Sequence, residues 1–270
     1  MERIIKKSVF IPIPIIGIPI KNLYTPYAIM PSNIGCDLHI KISEKNSTKD
    51  GQIKKATYGS EAIFDYVNEL LNELGYGIIG GSFLIKCTED PPFIAVLAIT
   101  SMEILKSILN IKHSDYILML DALTLFDEKK LHLDPGYTKA LRCAYIYNAM
   151  CIARGYDDLI KLSSRKLMIK KLSEVACPGI CSAVDNPYDA NTLSLFYKLS
   201  THVIGLLAQA VRELDEEKLR SLRRFLDLYM VLESSIVKEY IGSEDLALSY
   251  GVKPVVDYNS IKFYKVIALA

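Results

Sequence analysis

Two adjacent carboxylates, Glu89 and Asp90, stand directly before two prolines, Pro91 and Pro92. A pair of acidic side chains suits general acid–base catalysis, because one can accept a proton while the other donates one. The same pattern also begins helices, since an aspartate caps the first N–H groups and a proline fits the first helical position. We favour the second interpretation, with Asp90 as the N-cap of a helix that opens at Pro91.

A second group of polar residues, Ser32, Asn33 and Asp37, occupies the segment Pro-Ser-Asn-Ile-Gly-Cys-Asp. Binding residues are often carried by irregular segments on a rigid scaffold, so these three side chains are candidates for holding a small molecule. Serine, asparagine and aspartate also favour turns for purely local reasons. Both interpretations stay open.

The spacing of the cysteines and histidines gives only a weak indication of a metal site. Cys36 with His39 and Cys177 with Cys181 resemble two halves of a zinc site. On a strand, however, Cys36 and His39 would point to opposite faces, so no metal site is predicted. A chain of this length does not need disulfides for stability, and we expect all six cysteines to be reduced, buried thiols.

Composition narrows the class of protein. The 270 residues are 50% hydrophobic and carry a formal net charge of +1, which gives no broad basic surface for nucleic acid. The basic and apolar N-terminus resembles a signal peptide, but Pro12, Pro14 and Pro19 would break the helix that such a segment forms. We therefore expect a cytoplasmic protein that binds neither nucleic acid nor membrane.

Patterns of hydrophobicity predict the elements that must position these residues. In the first part of the chain we expect strands at 3–10 and 38–42, joined by an irregular, proline-rich connection. A polar surface loop at 44–55 and a helix from about 63 to 74, stopped by Gly75, come next. A strand at 81–87 follows, and then the helix that opens at Pro91. This helix should be buried because it is apolar nearly all round from residue 93 to residue 109.

The second part of the chain is richer in helices. We expect helices around 115–126 and 136–153, one or two strands within 159–172, a turn at Asn186-Pro187, and two long amphipathic helices at about 192–214 and 216–240. Phe225 and Tyr229 are predicted to be core residues. Strands at 252–256 and 263–269 close the chain, and the whole order indicates an α+β fold.

At three places this layout resembles the GHMP kinase superfamily, and among its members the archaeal pantoate and shikimate kinases. These places are residues 31–37 before a strand, the strand–turn–buried helix unit at 81–108, and the C-terminal segment 251–270. The resemblance implies a two-lobed fold, with a ribosomal S5 domain 2-like N-terminal lobe at 1–155 and a ferredoxin-like C-terminal lobe at 156–270. It also implies that the turn before the buried helix is the phosphate loop.

The chain departs from the family wherever a nucleotide would be held. Its counterpart of the glycine-rich phosphate loop, residues 88–95, has no glycine, two prolines without N–H groups, and the carboxylates of Glu89 and Asp90. Lys139 falls at the position of the family's catalytic aspartate, with Asp134 nearby. The C-terminal stretch 254–260 also lacks glycine.

These departures predict a degenerate member, a pseudokinase that has lost ATP-dependent phosphoryl transfer and binds a metabolite or a protein. An active but diverged kinase for a pantoate-like or shikimate-like hydroxy acid is the first alternative, and ATP and Mg²⁺ are expected as cofactors only in that case. A non-catalytic subunit of a paralogous enzyme is the second. Homodimers and heterodimers are both left open.

Overall fold

A computed structural model describes residues 2–21, 23–44, 60–157, 159–162, 166–177, 183–184, 189–213, 216–242 and 250–269. Within these residues the chain forms an α+β fold of eight strands and six α-helices. The strands are β1 (Glu2–Ile16), β2 (Pro26–Glu44), β3 (Ile79–Cys87), β4 (Cys151–Arg154), β5 (Ile160–Lys161), β6 (Leu167–Ala176), β7 (Val252–Val256) and β8 (Ser260–Leu269). The helices are α1 (Ser60–Glu73), α2 (Phe93–Leu109), α3 (Tyr116–Leu131), α4 (Pro135–Tyr147), α5 (Ala190–Glu213) and α6 (Glu216–Ile241).

Strand β2 organises the sheet. It pairs antiparallel with β1, β3 and β4, and it meets β6 in parallel at the single pair Ser32–Leu167. Strand β6 pairs with β8, which pairs with β7, so the order β5-β4-β2-β6-β8-β7 runs through both halves of the chain. The division of the chain into an N-terminal and a C-terminal lobe at residue 155 stays a prediction.

The N-terminal strands are longer than the sequence predicted. The proline-rich stretch expected to be irregular instead completes β1 and begins β2, with Pro12 opposite Pro31. A register shift between Phe10 and Pro12 interrupts the ladder there, which is where a residue without an N–H group is tolerated.

Helix α2 is the centre of the core, as its sequence predicted. It spans Phe93–Leu109, and every residue from Ile94 to Leu105 is buried. It packs against α1, α4 and β1, so no side of the helix needs a polar stripe.

The remaining helices agree with the predictions in number and differ at their ends. The helix predicted at 136–153 stops at Tyr147, where Asn148 takes the left-handed conformation (φ 47°), and the rest becomes β4. The two long helices are confirmed, and Tyr229 is buried as predicted. Phe225 is not a core residue, since 56% of it is exposed.

The expectation of reduced thiols is wrong. Cys36 is bonded to Cys87, and Cys143 to Cys151. Cys36 and Cys87 are direct register partners on β2 and β3, so their short separation comes from strand pairing across 51 residues, which the sequence does not reveal. Cys177 is also disulfide-bonded.

A buried ion pair ties the C-terminal half to the first strand. Glu233 on α6 and Lys253 on β7 are paired, and neither side chain is exposed to solvent. Glu233 accepts a hydrogen bond from the Gly17 N–H (2.7 Å), while Lys253 donates to the Gly17 carbonyl (3.0 Å). Gly17 has a φ of 95° and an added Cβ would lie 2.6 Å from the Pro26 carbonyl oxygen, so only glycine fits between them.

Some predictions fall outside the described residues: the surface loop from residue 45 onward, Cys181 and the Asn186-Pro187 turn. In the part of the chain that the structure covers, no helix combines the length and apolar character needed to cross a bilayer.

Candidate functional site

The first backbone N–H groups of α2 are hydrogen-bonded to a carboxylate from near the C-terminal end of the sequence. The Oδ2 atom of Asp257 accepts a hydrogen bond from the Phe93 N–H (2.7 Å), and its Oδ1 atom accepts one from the Ile94 N–H (2.9 Å). Asp257 follows β7 in the turn to β8, is 2% exposed, and its own N–H donates to the Ser260 carbonyl (2.8 Å). The negative charge therefore sits on the positive end of the helix dipole, where an anion is favoured.

This arrangement corrects the predicted role of Asp90. Helix α2 begins two residues later than expected, with Pro92 at the N-cap in an extended conformation and without a side-chain cap of its own. The cap comes from Asp257, which is 163 residues away from Ile94 in sequence. Asp90 is displaced from the helix axis and pairs with lysines instead.

Two lysines neutralise the carboxylates around the helix end. Lys262 is nearly buried, and its Nζ lies 3.1 Å from Asp90 Oδ2 and 3.5 Å from Asp257 Oδ2. Lys171 pairs with Asp90 and also with Glu174 (2.6 Å). Burial opposes the charge of Asp90, but the hydrogen bonds from Lys171 and Lys262 outweigh it and lower the pKa of that carboxyl.

The rest of the acidic segment is held by backbone and hydroxyl groups. Glu89 accepts a hydrogen bond from the Lys171 N–H (2.8 Å), and the Asp90 carbonyl accepts one from the Tyr264 hydroxyl (2.9 Å). Lys262 also donates to the Pro91 carbonyl (2.6 Å). The segment Glu89 to Pro92, which the sequence predicted to be a degenerate phosphate loop, is thus fixed against β6 and β8 by contacts within the chain.

A cleft of about 1030 Å³ opens beside this helix end, between α1, β3 and the β7–β8 turn. Its apolar wall includes Ile63, Phe83, Ile85 and Val96. Among the residues that the structure describes, its charged lining is six carboxylates and one lysine: Glu61, Asp65, Glu89, Asp90, Glu174, Asp257 and Lys262. We call this space the acidic cleft.

The predicted substrate-binding residues lie outside the acidic cleft. Ser32 is fully buried, donates to the Ile11 carbonyl (2.7 Å) and accepts from the Ile34 N–H (3.1 Å). Asp37 is exposed on β2 and accepts from the Ser8 hydroxyl (2.6 Å). Their role in binding stays a prediction, and each has a partner within the chain.

Asn33 acts as a bridge between the two halves of the sheet. Its Nδ2 donates to the Ile169 carbonyl (3.1 Å), and its Oδ1 accepts from the Ile169 N–H (2.8 Å). These two bonds reproduce a strand pair between β2 and β6, next to the single backbone pair Ser32–Leu167. The Asn33 amide is therefore engaged on both atoms, and any ligand would have to compete with β6 for it.

Lys139, which was predicted to lie at the position of the family's catalytic aspartate, and the nearby Asp134 do not line the acidic cleft either. Lys139 is nearly buried on α4 and pairs with Asp121 of α3 (3.0 Å). Asp134 caps α4, accepting from the Gly136 N–H (2.8 Å) and the Tyr137 N–H (3.3 Å), and burial raises its pKa to about 7.

A zinc site at Cys36 and His39 is incompatible with the structure, because Cys36 is in a disulfide. Among the described residues no group of three or more metal-ligating side chains comes together.

Sequence reasoning missed Asp257, Lys262 and Lys171. Asp257 has the pattern of an ordinary turn residue before Tyr258 and Asn259. Lysines interspersed with apolar residues, as on β6 and β8, are common on half-exposed strands. Only the pairing of β6 with β8 brings these residues to the start of α2.

Comparison with known proteins identifies the fold. No family model matches the sequence, and no curated protein matches it closely enough to count as a relative. Among solved structures, the chain is similar over its whole length to mevalonate kinase from L. major, with 12% identity, a TM-score of 0.53 and 88% of that chain covered. It is similar over 98% of its length to mevalonate diphosphate decarboxylase from Legionella pneumophila, with 11% identity, a TM-score of 0.51 and 93% of that chain covered. It is similar over 97% of its length to a protein from Listeria innocua, with 10% identity, a TM-score of 0.57 and 91% of that chain covered. The chain therefore has the fold of the GHMP-type kinases and decarboxylases, at identities that establish the fold alone.

Proposed function

We propose that this protein keeps the GHMP fold without ATP-dependent phosphoryl transfer, and that it binds a metabolite in the acidic cleft. One observation carries the proposal: the carboxylate of Asp257 occupies the N–H groups of Phe93 and Ile94, at the helix end where the resemblance places the phosphates. Because Pro92 has no N–H group and the first two N–H donors of α2 already bind a buried anion, these donors are not available to a phosphate.

The electrostatics of the acidic cleft support the same conclusion. The described residues that line it include six carboxylates and one lysine, and Pro91 and Pro92 contribute no N–H groups. Two like charges 4 Å apart repel by about 1 kcal/mol in water and by about 4 kcal/mol at the effective dielectric constant near a protein surface. A triphosphate would meet several such contacts at once.

The same lining suggests what the cleft accepts. Its volume of about 1030 Å³ suits a small metabolite, and the apolar wall from β3 and α2 can cover a nonpolar group. Carboxylates at its rim favour a ligand that is neutral or carries a cationic group. This chemistry is the opposite of what a nucleotide requires.

An active kinase remains the second candidate because of one arrangement. A cleft of about 1030 Å³ lies at the start of α2, where the resemblance places the nucleotide, and phosphoryl transfer depends mostly on positioning and electrostatics, so an altered site is conceivable. An enzyme of this kind would act on a hydroxy acid of the pantoate or shikimate type. A non-catalytic subunit of a paralogous enzyme is a third candidate. Such a subunit needs no phosphate site, so it is compatible with an α2 N-terminus whose N–H groups are occupied by Asp257.

Calorimetric titration of the purified protein with Mg-ATP tests the proposal. We expect no saturable binding in the wild type. In the variant Asp257→Ala, the donors of Phe93 and Ile94 become free and Lys262 loses a carboxylate neighbour, so inorganic phosphate should bind where the wild type binds none.

The matched control is Asp189→Ala, which removes a carboxylate that accepts from the Thr192 N–H (2.7 Å) at the start of α5. Both substitutions remove a helix cap and should lower stability, Asp257→Ala more than Asp189→Ala because Asp257 is buried, but only Asp257→Ala should gain phosphate binding. Mg-dependent ATP binding by the wild type, or ADP release with a panel of hydroxy acids, would favour the active kinase instead.

A further inference from the structure

Strand β3 has one open edge. It pairs with β2 on one side and, among the strands that the structure describes, it has no partner on the other. In an antiparallel pair only every second residue exchanges hydrogen bonds with the neighbouring strand, and the peptide groups of the residues in between point away from it. The open edge of β3 therefore presents N–H and C=O groups at every second position.

A contact at the end of the strand shows which positions these are. The Thr88 N–H donates to the Gly35 carbonyl (2.9 Å), so the adjoining register pair, Cys36–Cys87, is one that does not exchange hydrogen bonds. Counting back in twos from the end of β3 gives the residues whose peptide groups point outward: Cys87, Ile85, Phe83, Gly81 and Ile79.

Helix α1 supports this count at the start of the strand. Asn68 of α1, which lies outside the β2–β3 pair, donates to the Ile79 carbonyl (3.0 Å) and accepts from the Ile79 N–H (2.9 Å). Its amide thus takes the place of a neighbouring strand at Ile79. No hydrogen bond within the described part of the chain reaches the peptide groups of Phe83, Ile85 and Cys87, which we call the β3 edge.

The β3 edge forms one wall of the acidic cleft. Its three residues all line the cleft, which the first turns of α1 border with Glu61 and Asp65. The edge is about 13 Å long at about 3.3 Å per residue, so about five residues of an added strand fit beside it. A compact metabolite reaches one or two peptide groups, whereas an extended chain repeats its donors and acceptors at the spacing of the edge.

The sequence of β3 does not protect this edge. Natural edge strands avoid pairing with other chains through proline, bulges or charged side chains that point inward. From Ile79 to Cys87 there is no proline and no shift of register against β2. The single charged residue, Lys86, faces away from the cleft because side chains alternate along a strand. Such an edge is a template for a strand from another chain.

The charge of the cleft selects the kind of strand. Lys171 and Lys262 neutralise the carboxylates near the start of α2. Glu61 and Asp65, by contrast, have no cationic partner among the described residues. A segment with lysine or arginine side chains on its cleft side supplies the missing positive charge, and an acidic segment is repelled.

We propose that the β3 edge binds an extended, basic segment of another protein, which adds a strand to the sheet and directs its basic side chains into the acidic cleft. This goes beyond the proposed function, which concerns the lost phosphate site and a metabolite. The two can fail separately, because titration with Mg-ATP tests one and binding of a peptide tests the other.

Fluorescence anisotropy with a short peptide tests the proposal on the full chain. The probe is a fluorescein-labelled peptide of alternating lysine and valine, Lys-Val-Lys-Val-Lys-Val-Lys. We expect saturable binding, and binding at least about 10-fold weaker when every lysine is replaced by glutamate. The absence of saturable binding up to about 1 mM peptide, or equal binding of the acidic peptide, overturns the proposal.

Two N-methylated versions of the probe separate strand addition from plain charge attraction. One carries methyl groups on the backbone nitrogens of the lysines and the other on those of the valines, so both keep the same charge. Residues that bond to the β3 edge have their side chains on the cleft side, since directly opposite residues share a face. The lysine-methylated version should therefore bind at least about 10-fold more weakly, while the valine-methylated version stays within about threefold. Any other pattern overturns the proposal.

A substitution in β3 tests the same contact from the protein side. Ile85→Pro removes an outward N–H group without removing a hydrogen bond to β2, and proline is tolerated at such edge positions. It should weaken peptide binding at least about 10-fold. The matched control Ile85→Ala loses the same apolar side chain but keeps the N–H group, so its affinity should stay within about threefold. Equal affinity of the two variants contradicts the proposal.

Amide hydrogen exchange of the wild type keeps the test decisive if Ile85→Pro does not fold. In the free protein the N–H groups of Ile85 and Cys87 should exchange fast, while that of Leu84, which points to β2, should exchange slowly. The basic peptide should slow exchange at Ile85 and Cys87. Slow exchange at both residues in the free protein would show that the edge is already covered and would overturn the proposal.

Discussion

Burial strongly affects the pKa of Asp134, the carboxyl group that caps α4. The carboxylate accepts hydrogen bonds from the Gly136 and Tyr137 N–H groups, which favour its charged form. Burial works in the opposite direction and outweighs them, so that the pKa rises to about 7 from an ordinary value near 3.8. Between these two pH values the folded protein holds a proton that the unfolded chain releases.

The substitution Asp134→Asn should therefore stabilise the protein in a pH-dependent way. Because the folded state binds more protons, the stability of the wild type falls as pH rises through the window from about 4 to about 7. Asparagine caps helices as well as aspartate and carries no charge. We expect the variant to be more stable at pH 8, by at most about 4 kcal/mol at about 1.4 kcal/mol per pKa unit, and the advantage to disappear near pH 4.

Urea unfolding followed by circular dichroism at several pH values measures this difference. Asp189→Asn serves as the control, because the Thr192 N–H lowers the pKa of Asp189 and its contribution is lost as pH falls, which is the opposite trend. A stability difference for Asp134→Asn that does not change with pH would contradict the assignment.

At the scale of elements, the disulfide between β2 and β3 should contribute measurably to stability. Cys36 and Cys87 close a loop of 51 residues, whereas Cys143 and Cys151 are only 8 residues apart. Restricting the unfolded chain by these loops corresponds to about 4 and about 2.5 kcal/mol on a chain-entropy estimate. We expect the double variant Cys36→Ala/Cys87→Ala to lose more unfolding free energy than Cys143→Ala/Cys151→Ala.

Chemical unfolding under non-reducing conditions compares the two double variants with the wild type. Addition of a strong thiol reductant to the wild type should lower the melting temperature, and it should have less effect on either variant. Equal stability of the wild type and the Cys36→Ala/Cys87→Ala variant would show that the bond does not form in the purified protein.

The elements that could be predicted from the sequence are those whose own residues determine them. Helix α2 was predicted correctly apart from its first two residues, because apolar side chains occur on nearly every side of its seventeen residues, which is typical of a buried helix. Strand β4 was missed, since Cys151 to Arg154 is a strand only by pairing with β2 and β5. Phe225 was assigned to the core because helical spacing marks an apolar side chain without saying which neighbour covers it.

The candidate site was less accessible to sequence reasoning than the fold. Proline and acidic residues before α2 indicated a poor phosphate loop, and the structure gives that segment a different set of partners. The cap from Asp257 depends on how β7 and β8 lie against α2, a contact made across more than 160 residues. Local propensity contains no information about such pairs.

On the scale of the whole molecule, the two halves of the chain complete each other. Asp257 caps α2, Asn33 binds the backbone of β6, and Glu233 with Lys253 holds the peptide of Gly17. Burial raises the pKa of Glu233 and lowers that of Lys253, which means that each charge depends on the other for its stability. Separation of the halves would leave buried polar groups without partners on both sides.

We therefore expect the chain to unfold as one unit and its first 155 residues not to fold alone. A fragment 1–155 lacks the cap of α2, the partner of Asn33 and both residues that bind the Gly17 peptide. Each buried polar group left without its partner costs about 1–3 kcal/mol, so several together cost several kcal/mol. That is a large share of the roughly 5–15 kcal/mol that stabilises a typical protein. Calorimetry of the full chain should show a single transition, and amide exchange of the fragment should show no protected core until fragment 156–270 is added. Two separate transitions, or a protected core in the isolated fragment, would mean that the lobes are independent and that these contacts only join them.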